Sequence, residues 1–214
     1  MITLSVNANI VLIMGKKEKY LESICNRIYK PGSHVRPTLA LIKSSDKFDE
    51  VCKVYKALGG ILDVPPVNPG KWDIDMESFI IELDEENHFN RYRLITLDAP
   101  LYQKYNNFDV KQYRKYCLAY EYKCPTSQKR WSNPSADKQF GESGPNGNFS
   151  GNGPSRWKQR AFYDYLKDIY SVITGIPIIR ISIYDQAYHS TIKQLLDNED
   201  AIKIKEYLQK RIRG

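Results

Sequence analysis

Residues 78–93 read SFIIELDEENHFNRYR: an apolar strand that runs into carboxylates, then a histidine and two arginines. Around it, residues 63–86 hold eight acids (Asp63, Asp73, Asp75, Glu77, Glu82, Asp84, Glu85, Glu86) against one base, Lys71, in a chain of net charge +7. Like charges this close cost free energy unless something neutralises them, and a hard divalent cation shared with substrate phosphates does so. Alternation puts Glu82 and Asp84 on one face of the strand, with Leu83 and Glu85 on the other. The competing reading of any such charge run is a solvated strand end, so the surrounding chain has to decide.

Working outward, residues 61–85 have β character, with Pro65, Pro66, Pro69 and Gly70 in a connection and a tight turn expected near Met76 and Glu77. That hairpin sets the strand bearing Asp73 and Asp75 beside the one bearing Glu82 and Asp84. A pocket of four carboxylates across it is the expected metal site. Further upstream, residues 2–14 suggest a strand. Residues 16–30 and 46–58 carry apolar side chains at helical spacing, stopped by Pro31-Gly32 and Gly59-Gly60. Residues 1–60 thus read as scaffold.

Downstream, residues 90–97 suit a helix presenting Arg91 and Arg93. Residues 104–131 carry seven Lys or Arg against two acids, interleaved with Tyr105, Phe108, Tyr113, Tyr116, Tyr120, Tyr122 and Trp131. Such a block either contacts nucleic acid, with Lys111, Arg114, Lys115, Lys129 and Arg130 on phosphates and rings on bases, or is an amphipathic helix over residues 110–122 whose tyrosines pack inward. Residues 141–155, GESGPNGNFSGNGPS, have almost no apolar content and predict a mobile surface loop; they lack the strand and the Lys-Ser/Thr ending of a phosphate-binding loop. Residues 156–174 form a strong helix pattern with Lys158, Arg160, Asp164, Lys167 and Asp168 on its polar side. A buried strand over residues 176–184 follows, containing Arg180, which needs a carboxylate partner. The C-terminal part is helical and basic.

The composition, 42% hydrophobic and 27% charged, is that of a globular chain able to bury a core. No apolar run approaches the ~20 residues that cross a bilayer, and residues 1–14 do not have the pattern of a secretory signal, so a cytoplasmic protein is expected. Cys25 and Cys52 fall on apolar helix stripes, and Cys117 and Cys124 lack a zinc spacing.

The order of acid hairpin (Asp73 or Asp75, then Glu82-Leu83-Asp84), His88, Arg91 and Arg93, a helix with Arg160 and Asp164, and then GIPIIRI resembles the PD-(D/E)XK nuclease superfamily. The likeness is greatest to the branch of very-short-patch-repair endonucleases, and it spans residues 60–100 and 156–185. It implies an α/β (α+β) fold with a restriction-endonuclease-like core: a single domain over residues 1–214 whose mixed central sheet is flanked by helices, with residues 104–155 inserted between the hairpin and the later helix–strand unit. It also implies Asp73 (or Asp75) as first acid, Glu82 as second, Asp84 where the superfamily's lysine stands, and His88 as a proton carrier or phosphate partner. Glu85 stands where that branch has Gly, and no lysine follows the second acid.

The expected function is therefore a Mg²⁺-dependent endonuclease, with Mn²⁺ as substitute. It would cut double-stranded DNA in restriction or phage defence through Asp73, Glu82, Asp84 and His88, with Asp75 as a further ligand and Lys158 and Arg160 among the DNA contacts. A homodimer would let one site per chain cut both strands. The alternative is a nuclease-like fold that binds nucleic acid without cutting. A third reading, a subunit whose basic surface meets an acidic partner, rests on the net charge alone.

Overall fold

The computed structural model describes residues 15–103 and 108–213. The strand expected over residues 2–14, and Lys104 and Tyr105 of the basic block, lie outside them. The chain is α+β, and its sheet is small. Strands β1 (Ile74–Met76) and β2 (Phe79–Asp84) form the expected hairpin, turning at Glu77 and Ser78. Strand β3 (Ile178–Ser182) joins β2 in parallel, giving the order β1-β2-β3. The register pairs Ile74 with Ile81 and Glu82 with Arg180. Beside β1 the chain at residues 30–32 adds a short antiparallel edge, Gly32 N–H donating to the Asp75 carbonyl at 2.8 Å. A Cβ on Gly32 would come within 2.7 Å of the Met76 backbone, so glycine is what lets this edge approach.

Helices cover the sheet. Before it come α1 (Lys16–Cys25), α2 (Leu39–Lys43) and α3 (Phe48–Ala57). The connection from β2 to β3 carries α4 (Arg91–Thr96), α5 (Val110–Tyr120), α6 (Gln128–Trp131), α7 (Pro134–Phe140) and the long α8 (Ser155–Thr174). Gly175, with φ of 75°, ends α8 in the left-handed conformation that glycine tolerates. A two-stranded hairpin, β4 (Gln186–Ala187) and β5 (Ser190–Thr191), leads to α9 (Ile192–Asp197) and α10 (Ala201–Arg213). No helix among the described residues is long and apolar enough to cross a membrane.

Every residue of β2 and β3 is buried, so the central strands are covered on both faces. Ile80, Ile81, Ile178 and Ile181 are each wholly inaccessible, and burial of each contributes about 1.5–3 kcal/mol. Helix α8 lies inside the protein: Phe162, Tyr165, Leu166 and Ile169 pack into the core, and on its other side Lys158, Asp164, Lys167 and Asp168 are buried as well. A charged helix face taken out of water must find partners within the protein. That demand builds the site.

The structure bears on two further stretches. The tyrosines of α5 point inward: Tyr113 and Tyr116 pack around Phe89, Phe108 and Tyr184, and Tyr120 stacks on Tyr184. The amphipathic-helix reading of this block therefore holds for its described rings, save Tyr122, which stays exposed. The Gly-rich stretch 141–155 is tethered. Trp131 Nε1 donates to the Gly144 carbonyl, Asn152 donates to the Phe140 and Glu142 carbonyls, and Phe149 packs on Trp131 and Trp157. Its polar composition hid these anchors because they are small polar side chains and carbonyls whose partners lie in α7, α8 and Trp131.

Candidate active site

The hairpin register sets residue 73 opposite Glu82, and hydrogen bonds across it fix both carboxylates. Leu83 N–H donates to Asp73 Oδ2 at 2.8 Å, and Asp73 N–H donates to Glu82 Oε1 at 3.4 Å. Glu82 is 1% exposed. From α8, Lys167 Nζ reaches Glu82 Oε2 at 2.6 Å and the Lys71 carbonyl at 2.9 Å. Burial and the neighbouring Asp73 push the Glu82 carboxyl up to about 8 against the pull of Lys167. Helix α1 brings Glu18 to the same place, its carboxyl raised to about 7 by burial and by Asp73. Three carboxyl groups and one lysine thus line the same cavity, and two of the acids hold protons more tightly than ordinary carboxyls.

These groups line a cavity of about 300 Å³ whose other wall is the charged side of α8, with Arg156, Arg160 and Asp164, and His88 from the turn after β2. Arg156 and Arg160 stand one helical turn apart, like charges that repel at that spacing. Neither makes an ion pair with a carboxylate among the described residues: Arg156 donates to Gln159 Oε1 at 2.7 Å, and Arg160 Nη1 lies 3.0 Å from His88 Nε2. Burial and Arg160 lower Arg156 to about 10. The cavity therefore sets an acidic floor beside unpaired cationic groups.

His88 joins this cavity to a buried ion network. It sits in a short 3₁₀ turn, Glu86–His88, just ahead of Asn90, which caps α4 by accepting from the Tyr92 and Arg93 amides. Its Nδ1 lies 2.8 Å from Asp164 and 3.1 Å from Asp84. A guanidinium only donates, so Nε2 accepts from Arg160 and Nδ1 carries the proton. His88 in this state orients Arg160. Although burial opposes it, His88 and Arg180 hold the Asp164 carboxyl well below the usual range. Asp84, His88 and Asp164 offer ligand atoms within 4.8 Å of one another, so this group could hold a metal ion.

The four carboxylates expected in one pocket go to three places. Asp73 and Glu82 share the cavity. Asp84, two residues along the same strand face, is gripped through both oxygens by Arg180 Nη1 at 2.8 and 3.0 Å and receives the Tyr113 hydroxyl. Arg180 is itself inaccessible and also reaches Asp168 at 2.6 Å. Asp75, roughly 7 Å along the strand from Asp73, turns to His34, accepting from its amide at 2.8 Å and lying 2.6 Å from its Nδ1.

Several expected nucleic-acid contacts are likewise committed elsewhere. Arg93 is 1% exposed and pairs with Asp168 at 2.8 Å, which removes it from any surface. Lys158, 6% exposed, donates to Asn152 and pins the Gly-rich loop. Arg91 holds Glu121 and stacks on Phe149, and Arg114 pairs with Asp98. Lys111, Lys115, Lys129 and Arg130 are exposed on α5 and α6, apart from the cavity lining.

A model described as a family of unknown function, DUF7255, matches residues 53–198. The chain belongs to that family. No curated protein and no solved structure matches the chain. The DUF7255 span contains Asp73, Glu82, His88, Arg160, Asp164 and Lys167 but not Glu18. Reading the sequence alone misses Glu18, Arg156 and Lys167 as site residues. The spacing of Arg156, Arg160 and Asp164 by four marks one helix face, but periodicity does not say whether a charged face meets water or carboxylates.

Proposed function

We propose that this chain is a divalent-metal-dependent nuclease with a restriction-endonuclease-like core, acting on DNA phosphodiesters. The observation that carries the reading is Lys167: the lysine absent after Glu82 in the strand is supplied by α8, 2.6 Å from the Glu82 carboxylate and facing Asp73 across the hairpin. The departure at Asp84 is then a relocation of the basic group.

The donor set fits Mg²⁺ or Mn²⁺. Asp73, Glu82 and Glu18 line one cavity and offer only oxygen, the ligand that hard cations take. The Asp84–His88–Asp164 group, whose ligand atoms lie within 4.8 Å of one another, is the second candidate; each set has one acid already paired with a cation, Glu82 with Lys167 and Asp84 with Arg180. A cation bound at the Asp73–Glu82 floor supplies an activated water and neutralises charge developing on the phosphodiester. The chain's own groups do the rest. Lys167 uses two of its three N–H donors on Glu82 and the Lys71 carbonyl, leaving one for a phosphate oxygen or the attacking water. Arg160, oriented through His88, and Arg156 take the phosphate, whose charge relieves their mutual repulsion.

Supercoiled plasmid incubated with Mg²⁺, Mn²⁺ or EDTA tests this. Metal-dependent nicking by the native protein that Glu82→Gln and Lys167→Met both lose is the expected result. Nicking that survives both substitutions, or no metal-dependent nicking by the native protein, overturns it.

A further inference from the structure

A second cavity, of about 570 Å³, adjoins the acid site: Lys71 and Trp72, which lie just ahead of Asp73, line both. Its remaining wall comes from Val67, Asn68 and Asp75 and from residues 34–38, which the close approach at Gly32 holds against β1. Two cations face it, Arg36 and Lys71, both exposed and neither paired with a carboxylate among the described residues. Its acid, Asp75, has both oxygens committed to His34. That contact leaves His34 Nε2 as the ring nitrogen open to a ligand. Trp72 is anchored through Nε1 to the His34 carbonyl and is 8% exposed, its ring packed on Tyr170, so the apolar surface open to a ligand is that of Val35, 71% exposed, and Val67. The cavity is thus net positive, partly apolar and of ligand size.

We propose that this cavity is a subsite for an unpaired nucleotide next to the scissile phosphate, with phosphate on Arg36 and Lys71 and the base against Val35 and Val67. The inference rests on the nuclease reading for the identity of its ligand. A base enters a cavity only when out of its duplex, and unspecific single-strand sites set cations that track the backbone beside surfaces that take the bases. The substrate class is therefore single-stranded or locally opened nucleic acid, in place of the intact duplex expected from the sequence.

The test is fluorescence anisotropy in EDTA with a labelled oligodeoxynucleotide of about twelve nucleotides, a length within the range of such sites, and with its blunt duplex. The native protein and Glu82→Gln should bind the single strand more tightly than the duplex. Arg36→Ala should weaken single-strand binding about tenfold, the loss of one charge-assisted contact, and Arg36→Glu should weaken it further, with duplex binding unchanged. Arg36 is exposed and unpaired, so both variants should fold. No single-strand binding, a preference for duplex, or Arg36 variants that bind as the native protein does would overturn the subsite, even if the native protein cuts in Mg²⁺. Arg36-dependent strand binding without metal-dependent cutting by any form would support the subsite and overturn the nuclease reading.

Discussion

Replacing Lys167 by methionine removes one ammonium group and keeps most of the apolar stem that packs beside Trp72. The structure fixes what is lost: a charge-assisted hydrogen bond of 2.6 Å to a carboxylate 1% exposed, and a second of 2.9 Å to the Lys71 carbonyl. Such bonds contribute about 1.5–3 and about 1 kcal/mol respectively. Glu82 without its lysine holds a proton at neutral pH, since its carboxyl is already pushed up to about 8, so no bare buried charge remains. The net loss is therefore about 2.5–4 kcal/mol, or roughly 5–16 °C in Tm for a chain of this size. Thermal unfolding should show this modest drop. Single-turnover plasmid nicking in Mg²⁺ should fall by about 10²–10³, the cost of removing one donor aimed at developing charge. Lys167→Arg, which keeps the charge but not the single compact donor, should recover stability more than activity. Nicking by Lys167→Met at the native rate, with the fold intact, refutes the assignment of Lys167.

Glu18 is raised to about 7, so in the metal-free protein its ionisation costs stability as pH rises from its unfolded value towards 7. Glu18→Gln should match the native protein in urea unfolding near about pH 4 and exceed it near about pH 8; a native protein more stable than the variant at the higher pH contradicts the placement of Glu18. Arg180→Met should cost about 3–5 kcal/mol, seen as a lower urea midpoint, because Asp84 and Asp168 lose a buried counter-charge; a loss under about 1 kcal/mol argues against the network. Burial pushes the Cys25, Cys117 and Cys124 thiols up to about 12, whereas Cys52 is partly exposed. A thiol reagent should therefore label one cysteine in the native protein and four after unfolding, and rapid labelling of all four before unfolding would refute the packing around α1 and α5.

Local rules carried the elements a long way. Apolar periodicity located the hairpin, α3, α4, α5, α8 and β3, and the Gly and Pro signals placed their ends, because these depend on short-range geometry and on burial of one face. The register was not theirs: a turn centred on Met76 and Glu77 would set Asp73 opposite Ile80, whereas the turn at Glu77 and Ser78 sets residue 73 opposite Glu82. The α+β class follows from the same pattern.

Which charged side chains meet was beyond those rules. Glu82 and Asp84 share one strand face in any register, yet one meets Lys167 in a cavity and the other meets Arg180 in the core. That division depends on where α8 crosses the sheet, a contact between residues about 85 positions apart. Arg93 and Lys158 read as surface cations because composition cannot tell a solvated helix face from one buried against carboxylates. The hairpin and the excess of acid upon it were legible in the chain's local pattern. Only the tertiary structure decided which acids share a cavity and which lysine answers them, because the pairing of buried charges is set by long-range packing.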